Sequence, residues 1–417
     1  MTRPTLALLL ALGGLPGFVS GAWAQGLPTA GPQSVKLTPS GLARIDSAMS
    51  AYVESGKLPG IVVAVARNGR LAHWKAFGLR SIEANDPMER DDLFRIYSMT
   101  KPITSAAMML LVDEGKVTLE DPVAKYLPAF ADIKVWSRDG PVAPRRPMTI
   151  RDLLRHTSGL TYGAFGETPV DSAYRQAGLM EPRWDIAGLM DQLARLPLIG
   201  HPGEIWNYGF STDVAGRIIE LVSGMSLDRF FAQRILAPLK MGDSFFEVPP
   251  EKRNRFTGYY TRTAGRSVLL DSPDTGSYTR RPPLFSGGGG LVSTVPDYLR
   301  FAQMILNGGE LDGVRLLRRE TAAEMLKNQL PSELIPIRVG PFTFPGNGFG
   351  LGFSVVVDPG EFGINDLGRA GWGGYANTFF WIDPNRGLIA MVFTQSFPFA
   401  EHPLEADFRR LVYQALQ

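Results

Sequence analysis

The sequence contains no cysteine, only four histidines, and no long apolar run beyond its first two dozen residues. Without cysteine there are no disulfides, no thiol nucleophile and no cysteine-ligated metal, so stability must come from packing. The histidines, at positions 73, 156, 201 and 402, lack paired metal-ligand spacing, which disfavours a zinc site. The absence of a second apolar run predicts that no segment of the mature chain spans a membrane.

Charge of one sign is not concentrated anywhere in the 417 residues, and the formal net charge is only +2. The lack of a basic block argues against nucleic acid and anionic membrane surfaces as partners, and it leaves small neutral molecules as the expected ligands. The hydrophobic content of 44% indicates a globular protein with a sizeable core. The length of the chain predicts two subdomains.

Residues 1–24 have the features of a secretory signal peptide. Arg3 lies near the start, residues 6–12 are apolar, and Ala22-Trp23-Ala24 forms a cleavage pattern of small residues. A hydrophobic N-terminal helix that stays in the protein is the alternative interpretation. The cleavage pattern favours export, so the predicted location of the mature chain is periplasmic or secreted.

Predicted strands gather near the two ends of the mature chain. Residues 61–77 and residues 378–394 each show two apolar runs around a turn sequence, which is typical of a β-hairpin. Residues 404–416 show the spacing of an amphipathic helix. Both ends therefore supply antiparallel strands and a helix.

The middle of the chain has a different pattern, with Pro- and Gly-rich loops between predicted helices. These helices cover residues 149–155, 186–195, 212–222 and 226–235. The predicted fold class is therefore mixed α+β, with an antiparallel sheet flanked by helices and an inserted, mainly helical domain. The sheet domain is predicted to comprise residues 25–123 and 286–417, and the helical domain residues 124–285.

Ser98 and Lys101 form a Ser-x-x-Lys pattern at the start of a predicted helix, residues 102–114. Residues three apart at a helix start lie on one face, so the amine can activate the hydroxyl as a nucleophile. The alternative is that Ser98 is only a helix cap. Pro102 suits the first turn and Gly115 the end of a buried helix, and this context favours the catalytic interpretation.

Two later segments offer groups that could assist a serine nucleophile. Tyr208 is predicted on a loop just before a helix, where a phenol is either a packing residue or a proton relay beside an amine. Residues 370–375 have the sequence Ala-Gly-Trp-Gly-Gly-Tyr, in which few side chains shield the backbone. Their glycines either form a tight turn or expose N–H groups to an oxyanion.

These three elements, with Leu-Leu-Arg-His-Thr-Ser-Gly-Leu at residues 153–160 between the first two, resemble the serine β-lactamase and penicillin-recognising superfamily. The resemblance covers residues 42–416 and includes Ser-Gly-Gly-Gly-Gly-Leu at residues 286–291. More narrowly, the chain resembles the family VIII carboxylesterases, which share the class C β-lactamase fold. The resemblance implies a β-lactamase/transpeptidase-like fold, in agreement with the predicted fold class.

The resemblance also implies roles for individual residues. Ser98 is the implied nucleophile, Lys101 and Tyr208 are the implied catalytic base pair, and the backbone N–H groups of Ser98 and Tyr375 form the implied oxyanion hole. The implied substrate-binding residues are Tyr162, Phe210, Trp372, Gly373 and Gly374. No cofactor or metal is implied.

Two departures from the class C β-lactamase pattern bear on the substrate. Phe210 stands at the third position of Tyr-x-Asn, so an amide that would bind an acylamino side chain is lost. Trp372 stands in place of the lysine of Lys-Thr-Gly, so the cation that pairs with a substrate carboxylate is lost. Both changes favour neutral, apolar esters.

The sequence therefore predicts a serine carboxylesterase that hydrolyses short-chain neutral esters through an acyl-enzyme, with weak β-lactam hydrolysis as a side activity. An α/β-hydrolase would need Gly-x-Ser-x-Gly, which the chain lacks. The alternatives are a class C-like β-lactamase or D-Ala-D-Ala peptidase that uses the same residues, and a non-catalytic binding module on the same fold.

Overall fold

The computed structural model describes residues 26–417, except for the side chain of residue 362. The predicted signal peptide, residues 1–24, lies outside the described residues, and export stays a prediction. No helix within the described part of the chain is both long and apolar enough to cross a membrane.

The structure contains helices and strands in alternating groups. The α-helices are α1 Pro39–Glu54, α2 Thr100–Asp113, α3 Ile150–Leu154, α4 Pro169–Gln176, α5 Ile186–Arg195, α6 Ser211–Ser223, α7 Leu227–Phe231, α8 Val295–Leu306, α9 Arg319–Met325 and α10 Leu404–Gln414. The strands are β1 Gly60–Arg67, β2 Arg70–Ser81, β3 Asp86–Pro87, β4 Phe94–Arg95, β5 Tyr259–Thr263, β6 Arg266–Asp271, β7 Val292–Ser293, β8 Glu310–Leu311, β9 Val314–Arg315, β10 Arg338–Val339, β11 Phe342–Thr343, β12 Asn347–Phe349, β13 Ser354–Val356, β14 Ala370–Gly374, β15 Thr378–Asp383, β16 Leu388–Phe393 and β17 Ser396–Phe397.

The largest sheet has eight strands in the order β12-β13-β14-β15-β16-β1-β2-β3, and all neighbouring pairs are antiparallel. The two predicted hairpins are present as β1–β2 and β15–β16. They meet at the centre of the sheet, where Val63 of β1 lies opposite Val392 of β16. The predicted fold class is confirmed, because residues distant in sequence form one antiparallel sheet with helices around it.

Both faces of this sheet are covered by helices. Along β1, Ile61, Val63 and Val65 pack in the cluster that contains α1 and α10. The intervening Val62 and Ala64 pack on the other face, in the cluster that contains α2 and α8. Side chains that alternate between two buried faces explain why β1 is apolar at nearly every position.

The middle of the chain, residues 124–285, contains α3 to α7 and none of the eight strands of the large sheet. Its only described strand pair, β5 and β6, joins β17 in a separate three-stranded sheet. The predicted helix at residues 226–235 is divided into α7 and a π-helical turn, Ala232–Leu236. The proposed division into residues 25–123, 124–285 and 286–417 stays a prediction.

Helix α2 begins two residues after Ser98 and holds Lys101 of the Ser-x-x-Lys pattern in the core. A 3-10 turn, Tyr97–Met99, leads into α2, and Gly115 follows it with a φ of +70°, a conformation that glycine adopts readily. The first twelve residues of α2 are all buried. Lys101, in the first turn of α2, is buried, whereas Ser98, in the preceding 3-10 turn, is only partly buried.

Candidate active site

Ser98 and Lys101 are in direct contact. The Nζ atom of Lys101 donates a hydrogen bond to Oγ of Ser98 at 3.2 Å and another to the carbonyl oxygen of Gly288 at 2.6 Å. Lys101 is only 1% exposed, so these partners replace water around its amine. Ser98 does not cap α2, because the residue before the helix is Met99 and no side chain caps that end. The cap interpretation is therefore wrong.

Tyr208 lies on the other side of the lysine, on the loop before α6. Its ring centroid is 4.5 Å from Nζ of Lys101, and the residue is 8% exposed. The indole Nε1–H of Trp372 donates a hydrogen bond to the Tyr208 hydroxyl at 3.1 Å. This bond gives Trp372 a polar contact that its position in the sequence did not predict.

Asp213 holds the segment that supplies the second partner of Lys101. Oδ1 of this buried carboxylate accepts hydrogen bonds from the Ser286 hydroxyl at 2.6 Å and from the Gly288 N–H at 3.1 Å. Oδ2 accepts a long bond of 3.4 Å from the Tyr162 hydroxyl. Burial, followed by the charge of Asp213, raises the pKa of Tyr162 well above its usual value. Asp213 therefore fixes the turn whose carbonyl holds Lys101.

Sequence reasoning missed Asp213 because nothing in its local pattern distinguishes it from an ordinary residue in the first turn of α6. In the sequence, residues 286–291 are distinguished only by their part in the resemblance. Its glycines allow close packing, since a Cβ on Gly288 would lie 2.5 Å from Oδ2 of Asp213.

Tyr97, directly before the nucleophile, has an unusual backbone conformation. Its φ is +40°, which is strained for a bulky residue. The ring is held between those of Tyr259, Tyr278 and Tyr375, with centroids 5.8–6.2 Å away. This packing stabilises the turn that presents Ser98.

Ser98 and Tyr375, whose N–H groups are predicted to form the oxyanion hole, both lie in the site. Tyr375 follows β14, and both Ser98 and Tyr375 line the cavities described below. Gly374 runs so close to the segment before Ser98 that a Cβ on it would clash with the Ile96 carbonyl oxygen and with Oγ1 of Thr378. Glycine is therefore needed here for the close approach of β14 to the nucleophile turn.

Two cavities meet at Ser98 and share Phe165, Tyr208 and Tyr375 as walls. The smaller has a volume of about 280 Å³ and the larger about 590 Å³. Of the predicted substrate-binding residues, Trp372, Gly373 and Gly374 line the smaller cavity. Tyr162 and Phe210 line the larger one. All five therefore lie within the site, but on opposite sides of the nucleophile.

Charged groups in the smaller cavity are already paired. Arg369 lies three residues before Trp372 and could in principle replace the missing cation. Its Nε donates to Oδ2 of Asp366 at 2.6 Å, and only 11% of its side chain is exposed. The positive charge of Arg369 is therefore balanced within the protein.

His156 lies behind Tyr208, with ring centroids 4.9 Å apart. It is 1% exposed, and burial together with the charge of Lys101 lowers its pKa well below the usual value. The imidazole is therefore neutral at physiological pH and packs against Tyr208.

Known proteins are similar to this chain in sequence and in fold. The beta-lactamase family profile matches residues 45–414. An uncharacterised protein of Mycobacterium tuberculosis is 37% identical over 83% of this chain and 88% of its own length. Esterase EstB of Burkholderia gladioli is 30% identical over 89% of this chain and 95% of its own. The solved structure of EstCE1, a hydrolase with promiscuous acyltransferase activity, superimposes with a TM-score of 0.77 and is 26% identical, over 90% of this chain and 99% of that one.

These similarities extend over nearly all of the described chain, and they agree with the mixed antiparallel fold. They confirm the predicted resemblance and the prediction of a serine hydrolase of carboxylic esters. The chain belongs to the beta-lactamase family and is a serine hydrolase of carboxylic esters within its esterase-like branch.

Proposed function

We propose that the protein hydrolyses neutral carboxylic esters through an acyl-enzyme on Ser98. The observation that carries this proposal is the hydrogen bond of 3.2 Å between Nζ of Lys101 and Oγ of Ser98 in a buried setting. The Lys101 amine is close enough to the Ser98 hydroxyl to take its proton as the oxygen attacks. Tyr208, packed over Lys101, completes the proton-transfer unit.

In the first half of the reaction, Oγ of Ser98 bonds to the ester carbonyl carbon while its proton passes to Lys101 and Tyr208. The carbonyl oxygen becomes an oxyanion, which the N–H groups of Ser98 and Tyr375 stabilise. The bond to the leaving oxygen then breaks, and the same proton passes to the alcohol. In the second half, water attacks the acyl-serine by the same proton route and releases the carboxylic acid.

The walls of the site favour neutral substrates. Trp372 supplies an indole where a cation would be needed, and Phe210 supplies an apolar ring. Arg369 is paired with Asp366, so a substrate carboxylate would lose water without gaining a free partner. Short acyl esters, such as p-nitrophenyl acetate and butyrate, are accordingly the proposed substrates, with β-lactam hydrolysis much slower.

An acyl-serine can also transfer its acyl group to an alcohol in place of water. EstCE1, described as a hydrolase with promiscuous acyltransferase activity, supports this second outcome for the same intermediate. The balance depends on whether water or alcohol reaches the acyl-serine first. Adding an alcohol to the assay and measuring ester product would reveal the transfer. The proposed location remains periplasmic or secreted, on the basis of residues 1–24.

A serine-directed fluorophosphonate probe tests the nucleophile directly. Mass spectrometry of the intact protein, followed by peptide mapping, should find one adduct on Ser98. We expect Ser98→Ala to lose the adduct and to lower kcat/KM for p-nitrophenyl butyrate at least about 1,000-fold, because no other group can form the acyl intermediate.

Ser105 provides a matched control on α2. It is 1% exposed, its Oγ has no hydrogen-bond partner among the described residues, and it lines neither cavity. Ser105→Ala should keep both the adduct and the activity. Labelling at another residue, or substantial turnover by folded Ser98→Ala, would overturn the assignment.

A further inference from the structure

Building on the proposed acyl-serine route through Ser98, we propose that Phe165 is a specificity-determining residue that separates the two cavities. It selects esters that carry no branch on the carbon after the carbonyl or on the carbon after the alkoxy oxygen. One half of such an ester lies in each cavity. A branched isomer would meet the ring of Phe165 and react more slowly.

Phe165 lies at the boundary of the two cavities. Among the described residues, four line both cavities, namely Ser98, Phe165, Tyr208 and Tyr375. The other three have a proposed part in the chemistry, as nucleophile, proton-transfer group and oxyanion-hole N–H. The rings of Tyr162 and Tyr208 lie beside that of Phe165, with centroids 6.3 and 6.0 Å away. The ring of Phe165 therefore borders both cavities without belonging to the proton route.

An ester whose carbonyl carbon reaches Ser98 extends its two halves away from that atom in different directions. Because Ser98 lines both cavities, each cavity can hold one half. The groups nearest to the ester bond must then pass the ring of Phe165, whichever half enters the larger cavity. A straight chain is narrow at this point, whereas a methyl branch would have to displace the ring.

Helix α4 holds the backbone around Phe165. We call residues 163–166 the strap. Nη1 of Arg175, in α4, donates to the carbonyl oxygens of Gly163 at 2.6 Å and of Gly166 at 2.8 Å. Gly163 has a φ of +72°, which glycine adopts readily. One guanidinium therefore fixes both ends of the strap.

The strap also packs against the hairpin of β10 and β11. Gly340 lies in the turn of this hairpin, and a Cβ on it would lie 3.0 Å from the carbonyl oxygen of Phe165 and 3.3 Å from its Cβ. Val339 and Phe342 of the same hairpin line the smaller cavity. The backbone of Phe165 is thus held by α4 and by the hairpin. A ring on a fixed backbone can exclude a branch, since it cannot move away as a unit with its loop.

Two pairs of isomeric esters measure the effect of a branch on each half. p-Nitrophenyl isobutyrate and butyrate differ in the position of one methyl group on the acyl half, and isopropyl butyrate and propyl butyrate differ in the same way on the alcohol half. For each pair, the ratio of kcat/KM values, branched over straight, is compared between the natural protein and a variant. Nitrophenol release or titration of the released acid gives the rates.

We expect both ratios to rise about tenfold in Phe165→Ala, the effect of one methyl group in an apolar pocket. Phe165→Trp should lower both ratios, because a larger ring leaves less room beside the ester bond. A rise of only one ratio in Phe165→Ala would show that the ring borders one half alone, and it would overturn the proposed separation. Unchanged ratios would overturn it too.

Phe344→Ala is the matched control. Phe344 is partly buried and lines the smaller cavity but not the larger one. Its loss removes a ring of the same size away from the shared boundary, so both ratios should stay unchanged. An equal rise in Phe344→Ala would indicate a general loosening of the site and would overturn the role of Phe165.

Arg175→Ala tests whether the strap must be held in place. Arg175 is a positioning residue, because it acts on Phe165 through the backbone of the strap. The loss of its hydrogen bonds should raise both ratios about threefold while the fluorophosphonate adduct on Ser98 is retained. Arg183→Ala is the control, since its guanidinium donates to the carbonyl oxygen of Ala177, outside the strap, at 3.1 Å. Unchanged ratios in Arg175→Ala, or an equal rise in Arg183→Ala, would overturn the positioning role.

Labelling of Ser98 separates a failure of this role from a failure of the proposed function. A natural protein that takes up no adduct and hydrolyses none of the four esters would contradict the proposed function. A labelled and active protein whose ratios do not respond to Phe165→Ala would contradict the role of Phe165 alone.

Discussion

Trp372 and Trp381 lie on adjacent strands of the same sheet, yet the two faces of that sheet use them differently. Trp372 of β14 pairs with Phe380, and its Nε1–H donates to the Tyr208 hydroxyl. Trp381 of β15 points to the opposite face, where its ring packs edge-on against Phe408 of α10 at 5.4 Å. Its Nε1 has no hydrogen-bond partner among the described residues.

The comparison shows how one sheet separates stability from chemistry. The face covered by α1 and α10 is a closed apolar layer, in which Trp381 is 1% exposed. The face covered by α2 and α8 contains an apolar core too, but at its edge it keeps Lys101, Tyr208 and Asp213 buried and hydrogen-bonded. Changes on the first face should therefore affect folding, and changes at the edge of the second should affect the reaction.

The largest effects are expected at the proton-transfer unit on the catalytic face. Lys101→Ala and Tyr208→Phe should each lower kcat/KM for p-nitrophenyl butyrate about 1,000-fold, because each removes part of one proton route. The double variant should be little worse than the poorer single variant. Purified proteins with unchanged circular dichroism spectra are required for the comparison. Losses in log kcat/KM that simply add would show that the two groups act independently.

Trp381→Ala tests the opposite face. Truncating a fully buried tryptophan in the α1 and α10 layer should lower the free energy of unfolding by about 3–5 kcal/mol, since it removes apolar contacts and leaves a cavity. Urea denaturation followed by circular dichroism measures the loss. Below the transition, the folded variant should retain the fluorophosphonate adduct on Ser98. A marked loss of labelling in the folded protein would show that the two faces are coupled.

Several features of the structure of residues 26–417 could be predicted from the sequence. The alternation along β1 and the spacing in α10 are local patterns, so both hairpins and the closing helix were predicted close to their observed bounds. Ser98, Lys101 and Tyr208 were predicted because a short motif and a family resemblance identify them. Their observed proximity agrees with that prediction, while their roles remain proposals.

The features that sequence reasoning missed depend on long-range packing. Asp213 meets Gly288 across 75 positions of the chain, and Trp372 meets Tyr208 across 164. No periodicity or turn pattern in the sequence predicts either contact. The positive φ of Tyr97 is likewise imposed by the tyrosines packed around it, and a tyrosine by itself does not predict that conformation.

The smallest effect is expected at the polar contact of Trp372, and it sharpens the comparison of the two tryptophans. Trp372→Phe keeps an aromatic ring in the wall but removes the N–H that bonds to the Tyr208 hydroxyl. We expect kcat/KM for p-nitrophenyl butyrate to fall about tenfold, the loss of one hydrogen bond in the proton-transfer unit. Trp381→Phe is the matched control, because the N–H that it removes has no hydrogen-bond partner within residues 26–417, and it should leave kcat/KM unchanged.

Trp372→Lys extends this prediction to specificity. A lysine here can donate to Tyr208 and also provide the positive charge that an anionic substrate needs near β14. The kcat/KM for a cephalosporin relative to p-nitrophenyl butyrate should therefore rise in Trp372→Lys, and it should stay the same in Trp372→Phe, where both substrates lose the same hydrogen bond. Equal efficiency on both substrates in the natural protein, or no relative gain for the cephalosporin in the lysine variant, would show that the indole does not set the preference for neutral esters. In that case the preference would have to arise in the larger cavity, where Phe210 is the first residue to exchange.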